Sequence, residues 1–240
     1  MSKLYVCYRA IRKKLGVLYW KVHRLIHHRL FKIKRYWVNV FHFLRGFFIK
    51  YDYERIKDYD CIIICAHPDD ETIFFSSVLK AHKPFVICMS NRGNSVRKQE
   101  FQTALLHWNV EGCMMNLPDA TGHFGWAWEG RRIRTILRKI AKKCTNLTCV
   151  YTHNTKGESN HRHHHGLGTA VIDVFSDCDI YVTAETLGVP DTPNNAMYAE
   201  KYEILSHIYP SQYKYLETCC RWFYNYLSQE KFEKINGRKK

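Results

Sequence analysis

The chain has 240 residues, 46% of them hydrophobic and 25% charged, enough apolar material for one substantial core and too much for a disordered chain. Its net charge of +15 is concentrated: residues 1–50 hold 13 Lys/Arg and no Asp or Glu, whereas residues 51–240 hold 24 Lys/Arg against 22 Asp/Glu. The near-neutral remainder lacks the charge of a nucleic-acid binder, so no nucleic-acid partner is expected, and no run of 18 apolar residues could cross a membrane.

Between Leu4 and Phe47 the residues Leu4, Tyr8, Ile11, Leu15, Leu18, Val22, Ile26, Leu30 and Ile33 recur at steps of three or four, which is helical periodicity. Lys13, Lys14, Lys21, Arg24, Lys32 and Arg35 fall between them. The pattern predicts a basic amphipathic helix, or two helices broken near Gly16 or the His27-His28 pair. A polar face with no acid suits an anionic lipid surface, so residues 1–50 are expected to form an extension that meets an anionic membrane; packing against protein is the alternative. No small-residue cleavage site follows, so the segment does not read as a secretory signal.

Tyr51–Tyr59 is a charged connector, and a single catalytic domain is expected over residues 58–240. Cys61–Ala66 is a short continuous apolar run, the mark of a strand buried on both faces. A helix is predicted over Asp69–Ala81, a strand over Phe85–Met89, a helix over Val96–Trp108 and a strand over Cys113–Leu117. A basic helix follows over Gly130–Cys144, then a strand over Leu147–Thr152, a helix from about His164 to Phe175 and a strand over Ile180–Ala184. Asn195–Ile235 reads as helical with a break at Pro210. Such alternation predicts an α/β fold, a mostly parallel sheet with helices on both faces. The ten cysteines form no Cys-x-x-Cys pair and several lie in apolar runs, which points to free thiols in a reducing cytoplasm.

In such a sheet ligands bind beyond the carboxyl ends of the strands, and two polar clusters fall there. The first strand runs into Ala66-His67-Pro68-Asp69-Asp70-Glu71. The strand ending at Thr152 runs into His153 and then Gly157-Glu158-Ser159-Asn160-His161-Arg162-His163-His164. A catalytic zinc takes three protein ligands and keeps one position open. His67 and Asp70 can point to one side of their turn, and one histidine of the second cluster would complete the set. Asp69 would then be a free carboxylate beside the metal, placed to take a proton from water.

The stretch Ala66-His67-Pro68-Asp69-Asp70-Glu71 resembles, without mismatch, the opening motif of the PIG-L (LmbE-like) deacetylases. The resemblance implies a Rossmann-like zinc enzyme that deacetylates N-acetylglucosaminyl compounds. Carried over, His67 and Asp70 bind Zn2+ and Asp69 is the general base. Gly157-Glu158 followed by His161-Arg162-His163-His164 is similar to the family's later His-x-x-His motif, which makes His164 the third ligand and His161 the polarising or proton-donating group; a protonated His161 would stabilise the oxyanion, and either His161 or Asp69 would protonate the leaving amine. Bacterial members often carry Pro-Asp where this chain has Arg162-His163. Arg97-Lys98-Gln99-Glu100 is similar to the family's Arg-x-x-Glu, and Lys201 through Leu205 to Ser211-Gln212 resembles a pattern after the last strand. Arg97 and Asp119 are expected to contact substrate. The likeness covers residues 58–215.

The expected activity is release of acetate from an N-acetylglucosamine-type sugar, lipid- or nucleotide-linked, by an enzyme of the cytoplasm or the inner face of its membrane. Two rivals remain: an amidase of a thiol-sugar conjugate or other small amide, and a non-enzymatic membrane-interaction protein.

Overall fold

The computed structural model describes residues 37, 53–119, 128, 130–184, 196–219 and 223–235. The chain divides into two units, Met1–Phe41 and His42–Lys240. Of the basic N-terminal segment only Trp37 is described, helical and 64% exposed, so the amphipathic helix expected over Leu4–Phe47 otherwise lies outside the described residues. Among the described residues no helix is long and apolar enough to cross a membrane.

The second unit is built on a six-stranded sheet in the order β3-β2-β1-β4-β5-β6. In chain order, a 3-10 turn at Glu54–Asp58 leads into β1 (Cys61–Cys65), α1 (Asp70–His82), β2 (Phe85–Ser90), α2 (Ser95–Trp108) and β3 (Gly112–Leu117). Then come α3 (Arg131–Ala141), β4 (Cys149–Thr152), α4 (Arg162–Val174) and β5 (Asp179–Thr183). Three helices, α5 (Ala196–Ile208), α6 (Pro210–Cys219) and α7 (Phe223–Ser228), precede β6 (Phe232–Ile235). The strands β1 to β5 pair in parallel, and β6 joins β5 antiparallel at the edge.

Every residue of β1 is buried because the sheet is covered on both sides. Cys61, Ile63 and Cys65 face a layer that includes Phe74 and Leu79 of α1, Phe101 of α2, Leu205 of α5 and Leu227 of α7. Ile62, Ile64 and Ala66 face Ile133 and Leu137 of α3 and Leu167 and Val171 of α4. This agrees with the expected α/β architecture. In α3 the cations Arg131, Arg138 and Lys139 are exposed, while Ile133, Leu137 and Ile140 turn inward.

Two features depart from the sequence reading. The end of the predicted helical tail is the strand β6, and α4 begins at Arg162 with His161 as its N-cap residue, two residues before the expected start. Among the described cysteines, seven are free thiols.

The connections place the site. The chain leaves β1 to build β2 and β3 on one side, then returns to build β4 on the other, so β1 and β4 are adjacent but lead away in opposite directions. A crevice forms at such a switch point beyond the carboxyl ends of the two strands. Ala66 after β1 and His153 after β4 meet there, the Ala66 N–H donating to His153 Nε2 at 3.1 Å.

Candidate metal centre

The turn after β1 sets the first group. Asp69 adopts φ +115°, a conformation that costs a non-glycine residue about 1–3 kcal/mol and persists only where its surroundings hold it. Its carbonyl accepts from Thr72 N and Ile73 N, starting α1, and its own N–H donates to Glu71 Oε2 at 3.1 Å. Glu71 is fully buried and accepts from the Tyr209 hydroxyl at 2.6 Å. Arg97, in the first turn of α2, donates to Pro68 O and, at 3.0 Å, to Asp69 Oδ2. Arg97 is held in turn by Glu100 at 2.8 Å and Ser211 at 3.3 Å. Asn94 fixes that turn by accepting from Val96 N and Arg97 N.

The second group comes from the segment after β4. Gly157 has φ +73°, and a Cβ there would lie 2.3 Å from His161 O, so this bend requires glycine. It turns Glu158 inward, where Oε2 meets His153 Nδ1 at 2.9 Å and His164 Nδ1 at 2.6 Å. The rings of His153 and His164 stack at 3.8 Å. Glu158 Oε1 accepts from Thr183 Oγ1 and from Asn154 N.

The two groups converge on three atoms. His67 Nδ1 lies 3.3 Å from Asp70 Oδ2 and 3.3 Å from His164 Nε2, and His164 Nε2 lies 3.4 Å from Asp70 Oδ2. A tetrahedral ion with bonds of about 2.0–2.1 Å to nitrogen and oxygen separates its donors by about 3.3–3.4 Å, so this triangle has the edges such an ion demands. The donor chemistry, two imidazoles and one carboxylate, fits as well. His67 with His161 and His164, His67 with Asp119 and His163, and Asp70 with His153 and His164 also form clusters of close donor atoms.

Charge at the site is arranged for a cation. Burial opposes ionisation of Asp70, but His164 and His153 outweigh it and hold the carboxyl well below the usual range. Burial likewise opposes ionisation of Glu158, and His153 and His164 again bring its pKa down. Burial pushes the histidines the other way, yet Asp119 and Asp70 raise His67, Asp70 and Glu158 raise His164, and Glu158 and Asp70 raise His153 to about 9. The field that favours protons on these rings would equally favour a metal ion.

The remaining expected residues lie around the triangle. Burial pushes Asp69 up to about 7 against the opposing charge of Arg97. Its Oδ2 is taken by Arg97, and Oδ1 has no hydrogen bond among the described residues. The His161 ring sits 4.9 Å from that of His67 and 4.3 Å from that of His164. Burial, then His67 and His164, push His161 down to about 2, a shift that opposes the imidazolium form. Asp119 Oδ1 lies 3.5 Å from His67 Nε2 and its Oδ2 accepts from Asn91 at 2.9 Å, with the side chain 41% exposed. Arg97 is only 4% exposed and lies behind Asp69. Two residues that sequence reasoning left without a role, His153 and Glu158, are the inner supports of Asp70 and His164.

Fold and site together define a class: an α/β protein with a metal-competent two-histidine, one-carboxylate set beside a buried aspartate at its switch point. Residues 62–175 match the PIG-L family, described as GlcNAc-PI de-N-acetylase. The chain is 29% identical over 167 residues to the N-acetylglucosaminyl-phosphatidylinositol de-N-acetylase of Saccharomyces cerevisiae, covering 62% of this chain and 54% of that one. The chain thus spans about half the length of that relative. Among solved structures it is similar to the N,N'-diacetylchitobiose deacetylase of Pyrococcus horikoshii, with TM-score 0.51, 16% identity and coverage of 77% of this chain and 87% of that one. It is also similar to an antimicrobial pseudoaglycone deacetylase, with TM-score 0.54, 12% identity and coverage of 76% and 99%. These two likenesses bear on the fold.

Proposed function

We propose that this chain is a zinc-dependent hydrolase that removes the acetyl group from an N-acetylglucosamine-type sugar carried on a lipid or a nucleotide. The observation that carries the reading is the near-equilateral donor triangle of His67, Asp70 and His164 with Asp69 next to it. The yeast relative, named for removing the acetyl group of an N-acetylglucosaminyl lipid, supports the choice of substrate class.

On this reading His67, Asp70 and His164 hold the ion, and a two-histidine, one-carboxylate set with tetrahedral spacing suits zinc. When bound, zinc supplies Lewis acidity that lowers the pKa of water and polarises the amide carbonyl. Asp69 takes the proton of the attacking water on Oδ1, while Arg97 on Oδ2 keeps the carboxylate turned toward the site. His161, neutral, offers an N–H to the charge that develops on the acyl oxygen. Asp69 returns its proton to the leaving nitrogen, so that one amide and one water become acetate and a free amine. Asp119, more exposed than the other groups, is placed to meet hydroxyls of the sugar. Arg97 acts through Asp69 and not by touching substrate. Glu158 orients His164 by accepting from its far nitrogen, as carboxylates behind metal-bound histidines do.

We infer further that residues 1–50 hold the enzyme on an anionic membrane, as a peripheral protein of the inner face. Their 13 cations and no acids support this, and a lipid-borne substrate would suit it. An acetate-release screen over free, nucleotide-linked and lipid-linked N-acetylglucosamine tests the activity. Release from at least one linked form is expected, and no release from any of them overturns the reading.

A further inference from the structure

His67 has two ring nitrogens, and the structure gives each a different neighbour. Nδ1 faces Asp70 Oδ2 and His164 Nε2, both at 3.3 Å. Nε2 faces His163 Nδ1 at 2.8 Å. A neutral imidazole has one N–H and one lone pair, and a ring that ligates through Nδ1 must carry its proton on Nε2. That proton then points at His163 Nδ1. Asp119 Oδ1 is 3.5 Å from the same nitrogen, too far to be the main acceptor, and its other oxygen is engaged by Asn91.

His163 is placed for this contact by packing. It is 1% exposed, and its ring stacks on Trp128 at 4.4 Å with an interplanar angle of 8°. Trp128 is itself 1% exposed, and its indole N–H donates to Pro118 O at 2.8 Å. The Trp128 carbonyl presses so closely on α4 that a Cβ at Gly166 would lie 2.3 Å from it. The His163 plane is therefore set by the fold.

We propose that His163 is a positioning residue of the metal centre: its Nδ1 accepts the Nε2–H of His67, fixing the tautomer and ring angle that leave His67 Nδ1 free to ligate. The inference rests on the metal reading above. Metal-bound histidines ordinarily give their second N–H to a carboxylate, carbonyl or water. Here the acceptor is an imidazole ring clamped by an indole, at the position where the sequence has His163 between the two histidines of the His-x-x-His motif.

The test is zinc binding by the full chain, measured by competition with a chelating indicator. His163→Leu keeps a buried apolar side chain without an acceptor, while His163→Asn puts an oxygen close to where Nδ1 stood. The expected result is zinc affinity roughly 10- to 100-fold weaker in the Leu variant and within about threefold of wild type in the Asn variant. Wild-type affinity in the Leu variant, or equal losses in both, overturns the proposal while leaving the metal site intact. If wild type itself binds no zinc, the metal reading fails and this one with it. Imidazole 15N spectra of the zinc-loaded wild type need no variant to fold: His67 protonated at Nε2 supports the proposal, and His67 protonated at Nδ1 refutes it.

Discussion

Asp69 has the largest positive φ among the described non-glycine residues and, on the proposed reading, carries the proton of the reaction. Its +115° φ is held by Arg97 on the Pro68 carbonyl and on its own carboxylate, and by Glu71 on its N–H. An amide at this position keeps the shape and the Arg97 contact but cannot take a proton. Asp69→Asn should therefore retain metal and lose about 100- to 10,000-fold in turnover, read by acetate release alongside elemental analysis. Turnover near wild type would move the base elsewhere. The structure brings His67, Asp70 and His164 together beside Asp69; His67, Asp69 and Asp70 lie directly after β1, and His164 lies in the first turn of α4, in the polar run that follows β4. His153 and Glu158 lie in the same run, but they act through side chains that only the folded chain brings near them. No spacing rule distinguishes His153, stacked on His164, from a histidine turned to solvent.

At the scale of elements, the parallel core was readable because strands buried on both faces are uniformly apolar. The edge strand β6 was not. Phe232 packs on one side of the sheet and Ile235 on the other, so its two apolar residues stand three apart and imitate a helical turn. Its pairing with β5 is secured from outside the sheet. Lys201 of α5 is fully buried, donates to Ile73 O at 2.7 Å and Tyr226 O at 2.8 Å, and pairs with Glu230 at 2.5 Å. Glu230 also accepts from Ser76 N and Ser77 N of α1, two residues before β6 begins. This pair ties α1, α5, α7 and the approach to β6 together. Removing the cation alone leaves a buried carboxylate without its counter-charge, so Lys201→Met should destabilise the protein by about 3 kcal/mol in denaturant unfolding. Adding Glu230→Gln should restore part of the loss. A single variant as stable as wild type would show that the pair contributes little to the fold.

For the molecule as a whole, charge separates the N-terminal fifth from the near-neutral catalytic unit. If residues 1–50 meet anionic lipid, each basic residue near the surface adds about 1 kcal/mol before salt screening. The full chain should float with anionic liposomes at low salt and a chain starting near Tyr51 should not; equal flotation of the two would refute the membrane reading.

On the proposed reading N-deacetylation depends on one ion held by His67, Asp70 and His164. Chelator-stripped protein titrated with zinc and assayed for acetate release from a linked N-acetylglucosamine tests it most directly. Negligible release is expected from the stripped protein, rising to a plateau at about one zinc per chain. Full release by the stripped protein, with no response to added metal, would contradict that reading.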